Sequence, residues 1–364
     1  MSALTISDAG LGHRAEPFKA WLARDLRGNR LSYWLIALFG IYTLGLSVVL
    51  GDSVLPYLLK YAHRGVRAIL MLGCAAVIIV AIKALTQREH DSPLRYVRRS
   101  LLTPAHLLTA QKYIFGCAVL TVFMAAFLYN KTAIPDILPF RWDPVFAEWD
   151  RMLFLGHDPW TLLHPFLGHP LATVVIDYLY AAWVPLVFAV WIWVQATPVV
   201  DTGLRRQYWL ATILSWTLIG LVAATALSSA GPCFAADLFP AMSISYAPLN
   251  DYLAQVHRDY LLASSLTKDF LWQVYLTGSD EPGGISAMPS MHNAQAVLFA
   301  CLGYRVNSRL GHLFAAYAVV IFLGSIHLAW HYAVDGIVAV ALALIVWRLA
   351  GWLGRERHTE LVAA

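Results

Sequence analysis

The chain has 364 residues, 59% of them hydrophobic and 13% charged, with 14 Trp and a mean hydropathy of +0.60. A soluble domain carries about a quarter of its residues as charged side chains, so this composition excludes an ordinary soluble fold and points to a polytopic helical membrane protein. The net charge of +4 is accordingly read against a membrane and not against nucleic acid.

In chain order, residues 1–30 carry Arg14, Lys19, Arg24, Arg27 and Arg30 and form an expected cytoplasmic segment. The run "LSYWLIALFGIYTLGLSVVL" at 31–50 is too long and too late for a cleavable leader. It is expected to remain as the first span. Further spans are expected at 67–86, 112–129, 171–197, 207–229, 288–304, 310–325 and 331–350, given the roughly 17–25 apolar residues that a hydrocarbon core requires. The fold class is thus all-α, with about eight transmembrane helices. Residues 31–110 supply two additional helices and a basic loop, 111–354 a six-helix core, and 355–364 a tail.

With the first segment in the cytoplasm, most of the 26 Lys and Arg residues fall on the inner side, among them Arg88, Arg95, Arg98, Arg99, Arg205, Arg206, Arg305, Arg309, Arg355 and Arg357. That is the asymmetry of the positive-inside rule, and it places both termini in the cytoplasm. Two long connections then lie outside. Residues 130–170 mix Trp, Phe and Leu with charges, as interfacial helices do; Asp143, Glu148, Asp150, His157 and Asp158 read as the wet face of such a helix. Residues 230–287 are too many for a structureless loop and are expected to fold over the surface. Asp177, inside the fourth span, is either functional or paired with a neighbouring group, and both readings stand. Cys74, Cys117, Cys233 and Cys301 have no metal-type spacing and no disulfide framework is expected.

Two polar clusters interrupt the apolar pattern. In "GGISAMPSMHNA" (283–294), Ser286 is a plausible N-cap and Pro289 suits a first helical turn, which would put Ser290 and His292 at a helix opening. Unpaired N–H groups and the positive end of the macrodipole make such an opening a ready anion site. In "HLAWHYAVDG" (327–336), Gly324 and Ser325 can end one span, so that His331 falls near the start of the next with Asp335 four residues on. A carboxylate there can fix the imidazole tautomer and stabilise its protonated form. Alternating spans bring His292 and His331 to the same membrane depth. A histidine held by a carboxylate can attack phosphorus, and a second can act as general acid and base.

"AMPSMH" followed by "GSIHLAWHYAVDG" resembles the second and third signatures, PSxH and SRxxxxxHxxxD, of the type 2 phosphatidic acid phosphatase (PAP2) superfamily. More closely, the pair is similar to the branch containing inositol phosphorylceramide synthases, whose third motif also reads H-Y-x-x-D without the arginine. The resemblance implies His292 as acid and base, His331 as nucleophile and Asp335 as its orienting partner, in a reaction on membrane phospholipid and lipid alcohol substrates that needs no cofactor. Ser325 stands where the family's third-motif arginine is expected. The first motif, KxxxxxxRP, is not recognised at the outer end of the fifth span, where "SSAGPCF" (228–234) carries no cation. Ser290, Ser325, His327, Arg258 and Lys268 are therefore the candidate phosphate-binding groups, with Arg141 and Arg151 in reserve; His327 could equally donate to a loop carbonyl. Two other functions remain open at this stage. His327 and His331, with Asp335 or His292, could hold zinc in a membrane hydrolase, or Asp177 and the histidines could relay protons in a transporter.

Overall fold

The computed structural model describes residues 17–86, 96, 100–197, 199–279 and 281–355. Arg14, Arg88, Arg95, Arg98, Arg99 and Arg357 lie outside the described residues, as does most of the tail. The long apolar runs are helices, and their ends are set by local chemistry. Helices α1 (Phe18–Gly28), α2 (Arg30–Leu50) and α3 (Leu55–Thr86) precede α4 (Pro104–Thr132). Thr103 caps α4 by accepting from the His106 N–H at 3.2 Å, with Pro104 in the first turn, where its missing donor costs nothing.

Helices α5 (Asp143–Leu153) and α6 (Pro159–Leu167) are short and lie across one end of the bundle. The next span is two pieces, α7 (Pro170–Ala181) and α8 (Trp183–Ala196). Pro185 has no N–H to give to the Ala181 carbonyl, which is where the helical ladder breaks. Helix α9 (Thr202–Leu214) is capped by Asp201 and runs into a π-helical stretch, Ser215–Ala223. That wider turn aims Trp216 at Phe127 and Trp183, with centroids 4.7 and 6.1 Å apart. Helices α10 (Pro232–Leu238), α11 (Ser243–Tyr260) and α12 (Ala263–Thr277) fold over the same end as α5 and α6, so the 230–287 connection is structured as expected. The chain closes with α13 (Met291–Val306), α14 (Ser308–His327) and α15 (Ala333–Arg355).

Among the described residues, six helical segments are long and apolar enough to cross a membrane: Arg30–Leu50, Pro104–Thr132, Pro170–Gln195, Thr202–Ala226, Ser308–His327 and Ala333–Gly354. The protein is a polytopic all-α membrane protein. The two other expected spans fall on α3, which begins twelve residues before the expected 67, and on α13, whose 16 residues make it the shortest member of the bundle. The main apolar core joins the helices through Phe123, Trp191, Tyr208, Ile213, Phe299 and Ile321, all buried.

A second core sits under the covering helices, where Phe146, Tyr246, Met288 and Tyr332 pack together. Outside it, Leu155 and Phe166 are 91% and 82% exposed, with Trp149, Met152 and Leu153 also exposed. Large apolar side chains bared beside a bundle of this kind are the signature of helices lying in a membrane interface. The wet-face reading fails for two residues of α5: Asp143 and Asp150 point inward and are buried.

Candidate active site

The end of the bundle covered by α5 and α10–α12 holds both histidine motifs. The stretch before α13 is held in place by close backbone approaches. A Cβ on Gly284 would stand 2.5 Å from the Lys131 carbonyl carbon, so only glycine lets this strand of chain lie against the end of α4. The helix itself starts later than the sequence suggests. Ser290, not Ser286, is its N-cap, accepting from the Asn293 N–H at 3.4 Å and from the Asn293 side-chain amide at 3.0 Å. Pro289 precedes the cap. His292 is the second residue of α13, its ring lying between Tyr180 and Trp183 at centroid distances of 4.5 and 4.2 Å. Trp183 Nε1 also donates to the His292 carbonyl at 3.1 Å.

Helix α14 runs on through Ser325 to His327, and a tight turn leads to α15. The Ser325 carbonyl accepts from the N–H groups of Trp330 and His331 at 2.9 and 3.0 Å. Ala329 takes the left-handed conformation, φ 60°, that such a reversal demands. His331 stands in this turn, two residues before α15, and its Nδ1 lies 3.3 Å from Asp335 Oδ2. The same oxygen accepts from the Tyr332 N–H at 3.1 Å, so Asp335 fixes both the turn and the ring. The rings of His292 and His331 are 5.9 Å apart.

Both histidines line a cavity of 470 Å³ whose walls come from α4, α7, α8, the π-helical stretch and the α12 face. On α4 the lining residues Met124, Phe127, Leu128 and Lys131 recur at three- and four-residue steps along one helix face. On α7 and α8 the stripe is Asp177, Tyr180, Val184, Val187 and Phe188. The polar groups gather at the covered end and the apolar ones extend about 10 Å along the helices. The cavity is amphipathic along its length.

Lys131 is the functional candidate that sequence reasoning missed. It lines the cavity with His292 and His331, and its ammonium makes no ion pair or hydrogen bond among the described residues. The signal was present: "KTAIPDILP" (131–139) has the spacing of KxxxxxxRP with Leu138 in place of arginine. It lies at the end of α4, far upstream of the outer end of the fifth expected span.

The other candidates are placed elsewhere. Ser290 is fully buried and spent as a cap, and Ser325 is 1% exposed, donating to the Phe322 carbonyl at 2.8 Å and accepting weakly from Asn293. His327 faces away from the cavity. Its Nε2 lies 2.9 Å from the Thr173 hydroxyl, with His164 and Tyr252 around it, while the turn at 328–330 carries His331 off the helix and into the cavity. The set His327, His331 and Asp335 that zinc would need is therefore not assembled. Arg258 and Lys268 line a neighbouring cavity instead of this one. Arg151 is paired with Asp158 at 3.0 Å and donates to Ser245 at 2.7 Å, and Arg141 lies against the Trp142 ring.

Three carboxylates turn out to hold backbone. Asp150 accepts from the Ala333 and Val334 N–H groups, both at 2.8 Å, capping α15 from a helix 183 residues away. Asp143 accepts from the N–H groups of Ala230 and Gly231 and from the Tyr332 hydroxyl. Gly231 has φ 96° and a Cβ there would meet the Trp330 carbonyl at 2.6 Å, so these two segments are locked together. Asp177 accepts from the Ala263 and Ser264 N–H groups at 2.7 and 2.9 Å, settling it as a paired residue that caps α12. Burial raises the Asp143 carboxyl above the usual range against the pull of its donors, and raises Asp150 to about 6.

Two histidines, one of them braced by a carboxylate, share a cavity mouth with an unpaired ammonium, as a phosphoryl-transfer site requires. A family model of the PAP2 superfamily matches residues 145–349, which takes in both histidine motifs and more than half of the chain. No curated protein and no solved structure gives a match. The chain belongs to the PAP2 superfamily, whose chemistry is that of phosphatases and phosphotransferases.

Proposed function

We propose that the protein is a membrane-embedded lipid phosphotransferase that works through a phosphohistidine. The observation that carries this reading is the single cavity with His292, His331 and Lys131 at its polar end and Phe127, Val187, Phe188 and Trp216 along its depth. Such a cavity suits a phosphate joined to a long apolar chain.

The chemistry follows from the geometry. Asp335 beside Nδ1 favours the proton there and leaves the Nε2 lone pair of His331 free to attack phosphorus. As the N–P bond forms, the P–O bond to the leaving alcohol breaks, and protonated His292 delivers its proton to that oxygen. In the second half, neutral His292 takes the proton of the incoming hydroxyl, whose oxygen bonds to phosphorus while the N–P bond breaks. Lys131 offsets the phosphoryl charge throughout, in the part that the family's arginines would otherwise share. The Tyr180 hydroxyl, on the same wall and without a partner among the described residues, is placed to donate to a phosphoryl oxygen.

The resemblance to the inositol phosphorylceramide synthase branch favours a phospho-headgroup moving from a phospholipid to a lipid hydroxyl such as ceramide. Water in the same position would make the protein a lipid or polyprenyl phosphate phosphatase. The Lys and Arg distribution supports an extracytoplasmic site with both termini in the cytoplasm. A transporter reading loses its intramembrane carboxylate, because Asp177 is committed to two backbone donors.

The test is turnover by the purified protein in nanodiscs, offered phosphatidylinositol with ceramide, and separately a lipid phosphate monoester in water. The reading expects headgroup transfer or phosphate release that vanishes in His331→Ala. If neither substrate is consumed, or the His331 variant keeps full turnover, the reading is wrong.

A further inference from the structure

Beside the reaction cavity lies a second one of 250 Å³, lined by Arg258, Lys268, Ser264, Ser265 and Trp330, with Asp269 as the carboxylate on its wall. Ser264 and Trp330 line both cavities, so the two share a wall at the catalytic turn. Neither the Arg258 guanidinium nor the Lys268 ammonium has an ion pair or hydrogen bond among the described residues. Arg258 is exposed at the rim of the recess and Lys268 is half-buried, so an anion entering it meets two positive charges.

The recess is built, not incidental. Leu261 turns the chain between α11 and α12 with φ 52°, His257 Nδ1 accepts from the Leu262 N–H at 2.9 Å, and Asp177 holds the first two N–H groups of α12. That elbow puts Arg258, from the last turn of α11, on the same wall as Ser264 and Lys268, from the first turns of α12. Two serines and two cations on this corner are groups of the kind that bind phosphate oxygens. The elbow also ties the recess to the reaction cavity, because Asp177, which holds it, lines that cavity.

We propose that this recess is a second phosphate subsite, holding a phosphate group beside the cavity in which phosphorus reacts. The proposal rests on the phosphotransferase reading for its role but not for its existence, which binding alone can test. The source of the phosphate is either a phosphorylated lipid headgroup or free phosphate in solution.

The experiment uses the full chain in nanodiscs of zwitterionic lipid in a His331→Asn background, so that nothing turns over, and follows Trp330 fluorescence against a Trp330→Phe control. One arm adds inorganic phosphate. The other incorporates a phospholipid bearing a phosphate monoester on its headgroup. The subsite predicts a saturable change in at least one arm that weakens tenfold or more in Arg258→Gln/Lys268→Gln and persists in Lys131→Gln, which alters only the reaction cavity. A response in the first arm alone identifies free phosphate; a tighter response in the second identifies the headgroup. No anion-dependent change in either arm, or a change that the double variant retains, overturns the proposal.

With His331 restored, the double variant must keep the far-ultraviolet circular dichroism and cooperative melting of the wild type, which shows that it folds; if it does not, the single variants Arg258→Gln and Lys268→Gln, each expected to weaken the response, carry the test, and a response that both retain overturns the proposal. If the anion binds but the wild type turns over no lipid phosphate, the subsite stands and the phosphotransferase reading falls.

Discussion

The reaction cavity and the α5 clamp are both rich in buried polar groups, yet they treat them oppositely. In the clamp, Asp143 and Asp150 have their oxygens taken by backbone N–H groups and a tyrosine hydroxyl. In the cavity, the Lys131 ammonium and the Tyr180 hydroxyl are left without partners among the described residues, and behind His331 one oxygen of Asp335 is unpaired as well. A buried polar group without a partner costs about 1–3 kcal/mol. Where such a group lines a cavity, a ligand can supply the missing partner, and the clamp fixes the turn that carries His331. His331 and His327, four residues apart, divide along the same line: one faces the cavity, the other is bonded to Thr173.

That contrast can be broken at graded strength. The largest effect is expected from Asp335→Asn, which leaves the ring in place but removes the acceptor that sets its tautomer; kcat should fall by about 10⁴ in lipid phosphate turnover. Lys131→Gln should cost about 10²–10³ in kcat/KM, the scale of losing one charge-stabilising group, with folding unchanged by circular dichroism. Asp150→Asn should act through position, lowering thermal stability by about 1–3 kcal/mol while the double variant with Lys131→Gln shows additive losses in activity. Tyr180→Phe should lose roughly tenfold in kcat, and His327→Gln should stay within about twofold of the wild type. A loss at His327 as large as at Lys131 would erase the distinction between the two histidines.

The clamp also predicts a pH effect with a definite sign. Asp150 has its pKa raised by burial from 3.8 to about 6. The folded chain therefore holds this proton more tightly than the unfolded one, and the stability it contributes is present below about pH 4 and lost as pH rises through about 6. Denaturant titrations across that window should show the slope in the wild type and a shallower one in Asp150→Asn.

What the sequence makes legible is what lies close along the chain. His331 and Asp335 are four residues apart, PSxH is contiguous, and apolar runs of span length need no partner to be read. The parts that escape it are contacts between distant segments. Nothing near Asp150 marks its partners at Ala333 and Val334, so an acidic residue on an amphipathic helix reads as a solvated face when it is a cap for another helix. Lys131 keeps its motif spacing, but the covering helices bring it to the histidines from a part of the chain where sequence order gives no reason to look. The Ser290 cap is hidden by the equally suitable Ser286, and only the close approach of Gly284 to Lys131 decides between them.

The central claim is that phosphorus passes through His331. Purified protein incubated with a lipid labelled in its phosphate, quenched in alkali within the first turnovers and digested, should yield label on the peptide holding His331, stable to base and released by acid. In His292→Ala the label should both form and decay more slowly, because that group serves as acid in the first step and base in the second, and in His331→Ala it should be absent. Turnover of the lipid with no label on that peptide under any quench, or label that persists in His331→Ala, would contradict the account.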